Sequence, residues 1–298
     1  MNDDWYDTQT GFWSEPDGPR LPRFALMGEF SAGKSTLANL MIGTNPLPVQ
    51  VVATQMPPVL ISHGTAPSVI VDLSGNETPC NIEALQDIDL EQTAFIRFFC
   101  DEDILTRCDL IDMPGISDPN MSSTVWERIL PYADGVIWCT PATQAWRQSE
   151  AAVWDSIEET IRQYSMLVVT RADMLLSDND RAKVMRRVNA ETEPLFAKSV
   201  MMSLINARDG EDDSALWAQS GADEFVETFL TLVDAVDATL PDHTVARRAA
   251  PRLEPDTEPQ THSEIVPVRP VLRKNTDNEA PATANNQPDP SSYMPKFS

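Results

Sequence analysis

The 298-residue chain carries 46 acidic residues against 22 basic ones, a formal net charge of −24, and 42% of its residues are hydrophobic. So acidic a surface repels nucleic acid and anionic lipid, which argues against unaided binding to either. The apolar content is ample for a core and excludes wholesale disorder. No apolar run approaches the roughly 18 residues needed to span a bilayer, and residues 1–7 lack the apolar segment of a secretory signal. Cys80, Cys100, Cys108 and Cys139 show no C-x-x-C spacing, and with only three histidines a zinc cluster is not expected. These features predict a cytoplasmic protein with reduced thiols, no nucleic-acid partner and no direct membrane insertion.

Three zones follow in chain order. Residues 1–20 form a polar leader with scattered aromatics (Trp5, Tyr6, Phe12, Trp13), expected to be disordered or loosely packed. Residues 21–240 hold the strand and helix patterns, and residues 1–240 together carry nearly all the charge imbalance, 38 acids against 15 bases. Residues 241–298 hold 10 of the 24 prolines and almost no hydrophobic periodicity. Such a tail cannot bury enough apolar surface to offset an ordering entropy of roughly 1–2 kcal/mol per residue, and it is expected to be disordered.

Within the middle zone, 23–27 reads as a buried strand, followed by a glycine-bearing loop and a helix from Lys34 to about Ile42. Residues 59–62 and 68–73 read as two strands paired through the turn His63-Gly-Thr-Ala-Pro. In 93–99, Ala94, Ile96 and Phe98 alternate as a strand requires. Short buried strands are predicted at 109–112, 135–139, 166–170 and 200–204. Helices are predicted at about 122–132, 147–162, 179–190 and 223–240. In the last, Phe225, Phe229, Leu232, Val233, Val236 and Leu240 form one stripe. Trp126, Trp138, Trp146 and Trp154 fall in these elements and are expected in the core, whereas Glu211–Asp213 reads as a solvated acidic loop. Strands alternating with helices imply an α/β fold with a mainly parallel sheet, one antiparallel excursion, and helices on both faces.

Three motifs carry the chemistry. Gly28-Glu29-Phe30-Ser31-Ala32-Gly33-Lys34-Ser35-Thr36 satisfies G-x-x-x-x-G-K-[ST] in the required strand–loop–helix context. A glycine-flanked turn aims backbone N–H groups inward, and the helix start adds its positive end. Lys34 then reaches the β- and γ-phosphates and the Ser35 hydroxyl ligates Mg²⁺. This assigns the three-layer fold of the P-loop NTPases. Second, Leu110-Ile-Asp112-Met-Pro-Gly115 ends a strand with a carboxylate suited to holding Mg²⁺ through water, and Gly115 offers an amide to the γ-phosphate. Third, in Thr170-Arg171-Ala-Asp173 the Asp173 carboxylate can accept from guanine N1–H and the 2-amino group, a donor pair adenine lacks. Arg171 can lay a planar cation over the purine. Ser203, within Val200–Ala207, is a weaker candidate for base contact.

Together these motifs resemble the GTPase domain of bacterial dynamin-like GTPases over roughly residues 21–240. Gly28–Asn39 resembles their phosphate loop, Leu47-Pro48 with Val51-Val52-Ala53-Thr54 their first switch, and T-[KR]-x-D is the dynamin-type form of the base motif. The resemblance implies GTP/GDP and Mg²⁺ as cofactors and pairing of two copies through the nucleotide face. It implies that Thr54 closes over the γ-phosphate, ligates Mg²⁺ and holds the attacking water, and that the Gly115 amide lies near that water. Ser31 would help to hold a monovalent cation, K⁺ or Na⁺, in place of an arginine finger, a group otherwise supplying on the order of 10³–10⁵ in rate.

Departures accompany the likeness. Phe30 replaces a polar side chain of animal dynamins, Gln50 a glycine and Ala53 a proline. Where membrane-remodelling dynamins continue into a helical stalk, a Pro-rich stretch follows, with Arg247, Arg248, Arg252, Arg269, Arg273 and Lys274 as a candidate docking segment for a protein partner. The leading expectation is a GTP-hydrolysing switch. The competing one is a GTP-binding scaffold that hardly hydrolyses and works with a stalk-bearing or membrane partner.

Overall fold

The computed structural model describes residues 6–7, 12–13, 20–43, 56–80, 88–117, 122, 124–210 and 213–240. Two short strands in the leader, β1 (Tyr6–Asp7) and β2 (Phe12–Trp13), pair antiparallel with each other. The other nine strands form one sheet. These are β3 (Arg23–Gly28), β4 (Val59–His63), β5 (Val69–Asp72), β6 (Glu77–Pro79), β7 (Thr93–Cys100), β8 (Asp109–Asp112), β9 (Gly135–Pro141), β10 (Met166–Thr170) and β11 (Lys198–Met201). Their spatial order is β11-β10-β9-β3-β8-β4-β7-β5-β6.

From β11 to β8 every neighbour runs parallel. The run Phe24-Ala-Leu-Met27 is apolar without alternation because β3 is central and buried on both faces. Phe24 and Leu26 face one apolar layer, with α1 (Lys34–Met41) and α8 (Ala222–Asp237). Ala25 and Met27 face the other, which holds Trp138, Trp146, Trp154 and Phe196. All four tryptophans expected in the core are buried. The α8 stripe buries Phe225, Phe229, Leu232, Val233 and Val236, and the Phe229 ring meets Phe24 edge-on at 5.0 Å.

The antiparallel part differs from the expected hairpin. β4 and β5 do not pair. β7 lies between them, parallel to β4 and antiparallel to β5, while β4 also pairs antiparallel with β8. Burial explains the choice. β4 is buried along four of five residues and needs an interior position, whereas β5 is mostly half-buried and sits next to the exposed edge strand β6. The connecting turn crosses the end of β7, where Gly64 N donates to Cys100 O at 3.1 Å.

Several predicted helices are shorter. The 122–132 segment is α2 (Thr124–Glu127) and then a separate 3-10 turn at Leu130–Tyr132, where Pro131 cannot continue an α-helix. The 147–162 segment divides into α3 (Gln148–Asp155) and α4 (Glu159–Arg162), with Ile157 turned into the core between them. The predicted 179–190 helix is α5 (Asp178–Thr192), started by a Ser177 cap. Two further helices escaped the periodicity, α6 (Leu204–Asp209) and α7 (Ser214–Ser220). Asp213, expected in a solvated acidic loop, instead caps α7 by accepting from Ala215 N and Leu216 N. Among the described residues no helix is long and apolar enough to cross a membrane.

Candidate functional site

The first motif is the loop between β3 and α1, and its glycines are required by backbone shape and space. Gly28 has φ +138°, and a Cβ there would lie 2.0 Å from the Cys139 carbonyl oxygen of the adjacent strand β9. Gly33, at φ +96°, starts α1. Gly28→Ala is expected to destabilise the domain by about 3 kcal/mol or more, since strain and overlap coincide at an unyielding backbone atom. A denaturant midpoint unchanged from wild type would contradict this packing.

Lys34 is buried at the start of α1, its Nζ donating to Gly28 O at 3.2 Å and Glu29 O at 2.9 Å. Burial pushes its pKa down, and the neighbouring Asp112 and Glu29 carboxylates push it back up. The Cys139 thiol beneath it is pushed up to about 12 by burial and stays protonated. The ammonium is therefore held inside the loop by carbonyl dipoles that an anionic ligand can replace.

The second motif ends β8, beside β3. Ser35 Oγ donates to Asp112 Oδ2 at 2.7 Å. Burial raises the Asp112 pKa, while the Ser35 hydrogen bond and the Lys34 charge lower it. Its other oxygen, Oδ1, is buried with no hydrogen-bond partner. An orphaned carboxylate oxygen beside a hydroxyl fits a hard, oxygen-seeking Mg²⁺ that takes its remaining ligands from water and phosphate. Gly115 packs on the phosphate loop so closely that a Cβ would lie 2.9 Å from Phe30 Cα. Ile116 N donates to Gly28 O at 3.2 Å, and Phe30 N donates to Ser117 Oγ at 3.1 Å.

The third motif follows β10. Thr170 Oγ1 donates to Ala32 O at 2.7 Å, tying the strand end to the phosphate loop. Arg171, left-handed at φ +58°, donates from Nη2 to Ser31 O at 2.6 Å. Ser31 is itself left-handed at φ +57°. Asp173 accepts from Ser203 Oγ at 2.8 Å, and Ser203 caps α6 through Asn206 N. Gly28–Ser35, Asp112, Gly115, Thr170–Asp173 and Ser203 thus converge at one end of the sheet, and Thr36 follows half-buried on α1. Thr54 and the whole first-switch stretch lie outside the described residues.

This arrangement coincides with a family likeness. A model of the dynamin family matches residues 24–197. The chain belongs to the dynamin family. It carries the family's GTPase domain. It is 26% identical over 216 residues to Dynamin-like protein 2 of Campylobacter jejuni subsp. jejuni serotype O:23/36 (strain 81-176), a match covering 70% of this chain and 34% of that relative. The chain thus spans about a third of that relative's length. A solved structure of an oligomerised bacterial dynamin pair superposes with a TM-score of 0.58 at 18% identity, over 72% of this chain and 38% of the other, a likeness of fold.

The dynamin-family motifs led to most of this site but not all of it. Sequence reading missed Arg147 and Ser149, which hold the Glu29 carboxylate at 3.2 and 2.6 Å. It also missed Ser117, two residues beyond Gly115. No spacing rule marks Arg147 or Ser149, since each is more than a hundred residues from Glu29 in the chain. A polar pair at the start of a helix was the available signal.

Proposed function

We propose that this dynamin-family chain is a Mg²⁺-dependent GTP-binding protein that hydrolyses GTP to GDP and phosphate, and that two copies pair transiently through the nucleotide face. The observation that carries the reading is the convergence of a buried, carbonyl-bound Lys34, an Asp112 with one oxygen bonded to Ser35 and the other orphaned, and an Asp173 oriented by Ser203.

The chain's own groups have defined tasks in this reading. The loop amides from Glu29 to Ser35 receive the β-phosphate, and Lys34 exchanges its carbonyl partners for β- and γ-phosphate oxygens. Ser35 and Asp112 would hold Mg²⁺, with Thr54 added when the first switch closes; the ion neutralises phosphate charge when bound. The Gly115 amide donates to the γ-phosphate, and Thr54 orients the attacking water. Ser31 helps to hold K⁺ or Na⁺ beside the phosphates. Asp173 selects guanine, flanked by Arg171.

Pairing is supported by exposed apolar side chains on the loops and helix starts at this end of the sheet. Phe30 is 46% exposed, Met174 59%, Leu176 96% and Ile205 49%. We assign residues 21–240 to the GTPase domain, 1–20 to a leader and 241–298 to a tail that docks a protein partner, in a cytoplasmic protein.

Turnover of GTP in potassium against lithium, over a range of protein concentrations, tests this function. Potassium-stimulated hydrolysis whose specific activity rises with concentration is expected, and Thr54→Ala should keep nucleotide binding while losing at least about 10²-fold in rate. Normal turnover by Thr54→Ala would overturn the site assignment. Bound but uncleaved GTP would favour the scaffold reading, for which the apolar Phe30 at the phosphate loop is the supporting observation.

A further inference from the structure

Glu29 places a carboxylate in the phosphate loop, with only 10% of its side chain exposed. A buried negative charge beside a polyphosphate site opposes binding unless something neutralises it. Arg147, from the turn between β9 and α3, supplies the opposite charge, and Ser149, in the first turn of α3, adds a hydrogen bond. Ser149 Oγ donates to Glu29 Oε1 at 2.6 Å, and Arg147 Nη1 lies 3.2 Å from Glu29 Oε2.

That turn is braced residue by residue. Ala145 O accepts from Arg187 Nη2 of α5 at 2.7 Å. Trp146, buried and left-handed at φ +55°, donates its N–H to Thr140 Oγ1 at 3.0 Å. Arg147 N donates to the buried Glu150 Oε2 at 2.9 Å, and that carboxylate also accepts from Thr140 Oγ1. The guanidinium is therefore presented from a rigid base. At the other end of Glu29, Lys34 holds its carbonyl.

We propose that Arg147 is a positioning residue for nucleotide phosphate, acting through Glu29: it neutralises the carboxylate behind the phosphate loop and anchors the loop to the β9–α3 turn. This inference rests on the nucleotide reading above. It has an asymmetric consequence. Loss of Arg147 leaves Glu29 charged against the incoming phosphates, with a neutral hydroxyl as its remaining side-chain donor. Loss of the Glu29 charge leaves a cation behind the loop and no repulsion. The second change should therefore repair the first, which mere loss of packing would not do.

GTP and GDP dissociation constants of the full chain, measured by titration with Mg²⁺ and without reliance on turnover, test it. Arg147→Ala should weaken GTP about tenfold and GDP less, a moderate effect because the guanidinium is partly exposed and screened. Glu29→Gln/Arg147→Ala should bind GTP several-fold more tightly than Arg147→Ala and match Glu29→Gln alone, which is measured as its reference. Thermal melts check folding, and Arg147→Gln, which keeps more of the side-chain bulk, should behave as Arg147→Ala does. Wild-type affinity in both Arg147 variants, or a double variant as weak as the single, would overturn this inference alone. Failure of the wild-type chain to bind GTP would overturn the nucleotide reading and this inference with it.

Discussion

Lys34→Ala should lower guanine-nucleotide affinity by about 10²–10⁴-fold while leaving the chain folded. The ammonium is buried and its charge is satisfied by two backbone carbonyls, Gly28 O and Glu29 O. Both are neutral acceptors that phosphate oxygens can replace with stronger, charge-assisted bonds. Hydrogen bonds to charged groups contribute roughly 1.5–3 kcal/mol each, and two of them lost correspond to the stated range. The sign is reinforced by surroundings, because without Lys34 the Asp112 and Glu29 carboxylates face the phosphates with one fewer compensating charge. Titration calorimetry against GTP, with a melt to confirm folding, measures it. Near-wild-type affinity would show that phosphates bind elsewhere.

Asp173→Asn should reverse base preference. A carboxylate matches the two donors on the guanine edge, N1–H and the 2-amino group, whereas an amide presents its own N–H₂ to one of them. The Ser203 hydroxyl holds Asp173 by its Oδ1 and fixes the plane of the group, so it cannot turn away without losing that bond. GTP affinity should fall by about 10²-fold or more, because a site built to pair polar groups strongly rejects a mismatch. Xanthosine triphosphate, which carries a carbonyl where guanine has the amine, should gain. Competition binding of the two nucleotides to wild type and variant reads the switch. An unchanged preference for GTP would remove Asp173 from the base site.

How far the sequence speaks depends on the range of the interactions involved. The phosphate loop was legible because strand, glycine spacing, lysine and hydroxyl are contiguous, and backbone geometry alone demands Gly28 and Gly33. Asp112 and Asp173 were legible because the first ends a short buried strand and the second closely follows one, and parallel strands bring those ends to one edge. Strand neighbours were not legible. The segments 59–62 and 68–73 are linked as a hairpin would be, yet β7 inserts between β4 and β5 because the more buried β4 needs partners on both sides. Helices α6 and α7 were too short to show a periodicity, and only their caps, Ser203 and Asp213, marked them. The clamp of Arg147 and Ser149 on Glu29 joins residues 118 and 120 positions apart, which no local pattern encodes.

These features share one premise, that the end of the sheet where β3, β8 and β10 finish is a guanine-nucleotide site. Parallel calorimetric titrations of the purified full chain with GTP and ATP, both with Mg²⁺, test it most directly. Saturable binding of one GTP per chain is expected, with ATP at least about 10²-fold weaker because the Asp173 carboxylate is unmatched on adenine. Equal affinity for the two nucleotides, or no binding of GTP, would contradict it.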